Sequence, residues 1–218
     1  MSGTTLGLVA VLIGVAGIFV ALGIPLVIES RKRPRLRIEP ADDANATWAH
    51  PPFRIVHVKV INEPLGGKLG RWLLRNVATS CKVGVLFESQ SSNETVAIPG
   101  RWSGTPEPFS FFPTNGAIRA LFDPTKVPQS LRFDLSPDTE GEVLGIAIKA
   151  DGDCEAYAFT SESYQAQDSR RLPTLRLTDD VYTVTVTAHA GGIAASAVFL
   201  LHNRGTAHTG LELVAAAS

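Results

Sequence analysis

Histidines, carboxylates and cysteines are the side chains in this sequence that could do chemistry, and their spacing argues against a preassembled centre. A metal site needs His, Cys, Asp or Glu converging on one ion. His50, His57, His189, His202 and His208 are instead scattered, with no paired spacing on one strand face or turn, and His57 and His189 fall on expected solvent faces. No metal and no cofactor are expected. Cys81 and Cys154 are too few for a disulfide framework and lack the close spacing of zinc-ligand or redox pairs. They read as buried apolar residues, to be bonded only if the domain faces an oxidising compartment. The Gly-x-Ser-x-Gly elbow of serine hydrolases is absent, so a hydrolase would have to assemble its site from distant carboxylates such as Asp134, Asp151, Asp153 and Glu155. Gly66-Gly67-Lys68-Leu69-Gly70 lacks the Walker spacing and a following helix, and reads as a loop. A non-enzymatic interaction or scaffolding role is the leading expectation, with a membrane-tethered hydrolase or an anionic-lipid-contacting module as its alternatives.

The elements that must position these residues begin with an apolar run. From Leu6 to Ile28 no residue is charged. At ~1.5 Å per residue a helix of that length spans ~34 Å, enough for a hydrocarbon core of ~30 Å. The first five residues form a short tail without side-chain charge, and no small-x-small cleavage site follows the run, so a retained single transmembrane helix over residues 6–28 is expected rather than a cleaved signal. Residues 29–38 form a basic segment holding Arg31, Lys32, Arg33, Arg35 and Arg37. By the positive-inside rule this flank places the large domain in the cytoplasm, and the same cations could touch anionic headgroups. Membrane lipid is therefore an expected partner.

Within the run, Gly7, Ala10, Gly14, Gly17 and Ala21 align small residues on one stripe. The stripe fits close packing in a homodimer, and equally the ordinary glycine content of membrane helices. The whole chain has 20 Lys and Arg against 21 Asp and Glu, for a net charge of −1. Without a global positive field, nucleic acid is not an expected partner.

After the anchor the hydrophobic period is two, and residues 39–218 are expected to form an all-β sandwich. Val56, Val58 and Val60 alternate with His57 and Lys59, and Cys81, Val83, Val85 and Phe87 repeat the pattern. So do Leu131, Phe133 and Leu135, then Leu144, Ile146 and Ile148, and then Tyr182, Val184, Val186 and Ala188. Gly191-Gly192 marks a hairpin into a strand through Phe199 and Leu201. The proline-rich stretch from Glu88 to Gln129 should be loop or edge strand. It carries Trp102, Phe109, Phe111 and Phe112, which form either a recognition loop or a plug that closes one open end of the sandwich. Two sequons, Asn45-Ala46-Thr47 and Asn93-Glu94-Thr95, would matter only on an extracytoplasmic domain, against the predicted orientation.

Several segments together resemble a family of uncharacterised prokaryotic proteins with an N-terminal anchor and an immunoglobulin-like β domain. They are Arg33-Pro34-Arg35-Leu36, Val58-Lys59-Val60-Ile61-Asn62, Ala78 with Cys81, Gly100-Arg101-Trp102-Ser103, Asp153-Cys154-Glu155-Ala156-Tyr157 with Ser163-Tyr164, Tyr182-Thr183-Val184-Thr185-Val186, and Phe199-Leu200-Leu201-His202-Asn203-Arg204-Gly205. The resemblance implies an immunoglobulin-like β-sandwich behind a single transmembrane α-helix, and implies no activity. The expected whole is a single-pass membrane protein that offers its sandwich to a protein partner.

Overall fold

The computed structural model describes residues 21–67, 74–114, 117–137, 139–166 and 170–216. Residues 21–32 are helical, and a bend at Arg33 leads directly into β1 (Leu36–Ala46). The described residues contain no helix long and apolar enough to cross a membrane, and most of the expected span, residues 6–20, lies outside them. Gly7, Ala10, Gly14 and Gly17 of the small-residue stripe lie outside them as well, while Ala21 is exposed on the helical segment.

The rest is built from antiparallel strands in two main sheets. In the first, β1 pairs with β2 (Phe53–Asn62), which pairs with β9 (Glu142–Ala150). Beyond β9 come β10 (Ala156–Ala158) and β11 (Arg176–Leu177), and the two-residue β5 (Arg101–Trp102) also pairs with β9. The second sheet runs β14 (Leu211–Ala215), β13 (Ile193–Asn203), β12 (Val181–Ala190), β3 (Ala78–Ser89), β4 (Thr95–Pro99), with β8 (Phe133–Leu135) against β3. A separate hairpin joins β6 (Phe109–Thr114) to β7 (Ala117–Phe122). The proline-rich stretch is thus short strands, turns and a 3-10 helix (Pro124–Leu131), with β4 at the edge of its sheet, and that helix takes Leu131 out of the strand expected to hold it with Phe133 and Leu135.

Alternation explains the core. Along β12 the even-numbered residues from Tyr182 to Ala190 are buried; they lie beside Val83, Val85 and Phe87 of β3 on the same face, and share the core with Val56, Val58 and Val60 of β2 in the other sheet. Phe87 and Tyr182 meet edge-on at 6.5 Å, and side chains of this size contribute ~1.5–3 kcal/mol each when fully buried. At the β12–β13 hairpin, Ala190 pairs with Ile193 across Gly191 and Gly192, both at positive φ (54° and 81°), the type of turn that matches strand twist.

One strand departs from the expected pattern. Val56 of β2 pairs with Ala147, but His57 pairs with Gly145, so Ile146 is an extra residue in β9. This bulge reverses the parity of everything after it. Leu144 and Ile146 face the main core, whereas Ile148 joins a second cluster with Phe159 and Tyr164 on the opposite face. Lys149 is turned inward instead. The opposite face is close-packed too: a Cβ on Gly145 would lie 2.8 Å from the Phe159 ring and 3.1 Å from Ile55. Phe109 and Phe122, from the β6–β7 hairpin, pack against this second cluster.

Candidate functional site

Two polar hubs close the two ends of the sandwich. The first holds the helical segment to the domain. Asn62, fully buried at the end of β2, accepts from the Arg35 N–H at 3.1 Å and donates from its amide to the carbonyls of Asn76 at 2.9 Å and Leu135 at 3.1 Å. The Glu63 N–H donates to the Arg35 carbonyl at 2.8 Å, and the Asn76 N–H to the Lys32 carbonyl at 2.7 Å. Arg75 donates from its guanidinium to the carbonyls of Arg33 at 2.7 Å and Arg31 at 3.4 Å. These donors satisfy carbonyls that a helix end leaves without partners, so the helix meets the domain at a hydrogen-bonded joint rather than through a free linker.

The basic segment is divided by this joint. Arg37 lies in β1, and Arg31 and Lys32 close the helix. Lys32 pairs with Glu29 at 3.5 Å, Arg35 with Glu63 at 3.2 Å, and Arg37 with both Glu63 and Glu39. Arg31 and Arg33 have no carboxylate partner among the described residues. Arg75 is a further cation at the same end, which no local pattern around position 75 announces.

The opposite end is organised by Lys149. Its buried ammonium donates to Asn203 Oδ1 and to the Gly205 carbonyl, each at 2.6 Å, and to the Arg204 carbonyl at 3.5 Å. Asn203, buried at the end of β13, donates in turn to the Cys154 carbonyl at 3.1 Å. Desolvation pulls the lysine's pKa below its ordinary value, against the opposing pull of Cys154, Asp153 and Asp180. Three carbonyl acceptors make this a structural cation that fastens the β13–β14 turn to β9.

The candidate carboxylates do not converge. Asp134 accepts from the Ser80 N–H at 2.6 Å, Asp151 from His208 at 3.0 Å, Asp153 from Arg171 at 2.7 Å, and Glu155 pairs with Arg176 at 3.4 Å. None of them lines the cavity of about 470 Å³ formed by Lys82, Val83, Pro99, Pro128, Gln129, Leu131 and Arg132. Among the described residues no three His, Cys, Asp or Glu side chains are grouped to hold a metal. His189 is exposed, but His57 is buried on the outer face of its sheet, where its ring contacts the Asp42 carbonyl at 3.2 Å and burial lowers its pKa. That placement corrects the reading of His57 as a solvent-face residue.

The cysteines part in the same way. Cys81 is buried, and desolvation raises its pKa to about 11, whereas Cys154 is exposed rather than buried. Both are free, and they sit at opposite ends of the fold, Cys81 in β3 near its start and Cys154 in the β9–β10 turn.

Of the four aromatics expected in a recognition loop, Trp102 is core. It is fully buried and its ring lies 5.7 Å from that of Phe133, because β5 pairs it with inward-facing Leu144. Phe109 packs edge-on to Tyr164 at 5.4 Å. Phe111 and Phe112 lie in β6 and their side chains fall outside the description. Around Tyr164 the structure builds a stack that the sequence does not announce: Arg101 lies 5.1 Å and Arg170 4.7 Å from the ring centroid, and the phenol donates to Glu107 at 3.0 Å. Burial is the main cause of that phenol's raised pKa. The stack ties the second cluster to its sheet, although Nε of Arg101 and Nε of Arg170 are buried without a hydrogen-bond partner among the described residues.

Among the described residues the exposed aromatic is elsewhere. Trp48, in the turn between β1 and β2, is 80% exposed. β1 starts beside the helical segment and runs 11 residues away from it, about 36 Å at ~3.3 Å per residue, so Trp48 stands at the end farthest from the helix.

Searches against family models, curated proteins and solved structures each return no match for this chain.

Proposed function

We propose that the chain is a single-pass membrane protein whose immunoglobulin-like sandwich is a non-enzymatic binding module, held on the cytoplasmic side and presenting its far end to a protein partner. The observation that carries this reading is the helical segment. Leu22, Ile24, Leu26 and Val27 are all more than half exposed, with Leu26 at 71%, although the segment is hydrogen-bonded firmly to a folded domain. A helix apolar on its free faces is suited to lipid rather than water.

Strand order supports the immunoglobulin-like assignment. β1, β2, β9 and β5 follow the A-B-E-D order, and β4, β3, β12 and β13 follow C′-C-F-G. Tyr182, at the start of the strand in the F position, accepts from the Asp179 N–H at 3.1 Å, the arrangement of a tyrosine corner. The chain departs from antibody domains in having two free cysteines, and in placing its buried Trp102 on β5 rather than on the strand in the C position.

For a partner, Trp48 is the anchor of the expected kind, since large rigid aromatics dominate interface energetics. Crosslinking in intact membranes, compared between the native chain and Trp48→Ala, is expected to return a protein partner that the variant loses. Reproducible return of nothing above background would overturn the binding-module reading.

A further inference from the structure

We propose that residues 74–77, the stretch that leads into β3, form a second membrane contact, which seats the sandwich on the anionic headgroups of the bilayer that holds its own helix. The inference rests on the anchored reading above and adds to it a place and an orientation.

Depth is set by the helix. The last apolar residue of the segment is Ile28, and at ~1.5 Å per residue Arg31 to Arg33 lie ~4.5–7.5 Å beyond it. The interfacial layer on each side of the hydrocarbon core is ~5–7 Å thick. Arg75 is tied to the carbonyls of Arg31 and Arg33, so residues 74–77 are held at the same level. There the structure exposes apolar surface beside the cation: Leu74 is 73% and Val77 43% exposed.

Charge matches the same occupant. At the joint Lys32, Arg35 and Arg37 are paired with Glu29, Glu39 and Glu63, whereas Arg31, Arg33 and Arg75 have no carboxylate partner among the described residues. Apolar residues rimmed by uncompensated cations, continuous with a lipid-embedded helix, fit an anionic bilayer surface. With both the joint and residues 74–77 engaged, the domain is held in one orientation rather than swinging on a tether.

The test uses the full chain reconstituted in vesicles of phosphatidylglycerol and phosphatidylcholine in equal parts. A Cys154→Ser background leaves only the buried Cys81, so a fluorophore can be placed at Leu74→Cys or, as the far-end control, at Trp48→Cys. Headgroup-level nitroxide lipids are expected to quench the label at position 74 several-fold more than that at 48. The excess is expected to fall in pure phosphatidylcholine and with Arg31→Gln/Arg33→Gln. Carbonate extraction of the same vesicles separates the two levels. Retained protein whose label at 74 is quenched no more than at 48, or equally in both lipids, overturns the headgroup contact and leaves the anchor standing. Release of the protein by carbonate overturns the anchor and the contact together.

Discussion

The two ends of the sandwich are closed by the same device in different chemistry. At the helix end a neutral amide, Asn62, accepts one hydrogen bond and donates two; at the far end a cation, Lys149, donates three. An amide can be satisfied from both sides without carrying a charge out of water. An ammonium must recover a much larger hydration loss from its acceptors alone. The joint to the helix should therefore be indifferent to pH and modest in energy, and the far end stronger and dependent on pH.

Removing an acceptor from the cation is the largest expected disturbance. Asn203→Ala leaves the buried ammonium of Lys149 short of one of its two 2.6 Å partners, and urea denaturation should show a loss of about 3–5 kcal/mol. Asn62→Ala removes three neutral hydrogen bonds at ~1 kcal/mol each, for a smaller loss of about 2–3 kcal/mol. It should also open residues 29–35 to proteolysis, which Asn203→Ala should not. Equal losses for the two variants would erase the distinction between the ends.

Acid and base sharpen the same contrast. The folded-state pKa of Lys149 lies below 10.5, so between that lowered value and 10.5 the unfolded chain holds the extra proton and stability rises with pH. Lys149→Met should abolish that rise. His57, also depressed by burial, gives the corresponding window below 6.5: stability falls as pH drops through 6.5 toward the lowered value, and His57→Gln should flatten it. Denaturation midpoints across pH measure both slopes, and Asn62→Ala should change neither. The smallest effect is chemical: in the native protein a thiol reagent near neutral pH should modify Cys154 and spare Cys81, with both reacting in urea.

Much of the fold was legible because each long strand buries one face. In β2, β3 and β12 the alternation of residues alone identifies the inward side, and Gly191-Gly192 identifies its hairpin. The same rule failed in β9, where Leu144, Ile146 and Ile148 look equivalent along the chain. The bulge at Ile146 depends on how β9 pairs with β2, so the inward turn of Lys149 has no local signature. The candidate site was legible only in part. The basic cluster was visible as a run, but Arg75 joins it across the fold, and Trp102 reads as a loop aromatic until its pairing with Leu144 carries it into the core.

By itself, then, the sequence determined the apolar run with its arginine border and the sides of the regular strands, because both follow from contacts with solvent that each residue makes through its own neighbours. Only the tertiary structure decided the hubs at Asn62 and Lys149, the stack on Tyr164 and the separate partner that each candidate carboxylate takes. Those depend on partners brought together from distant parts of the chain, and burial makes such partners obligatory without naming them in advance.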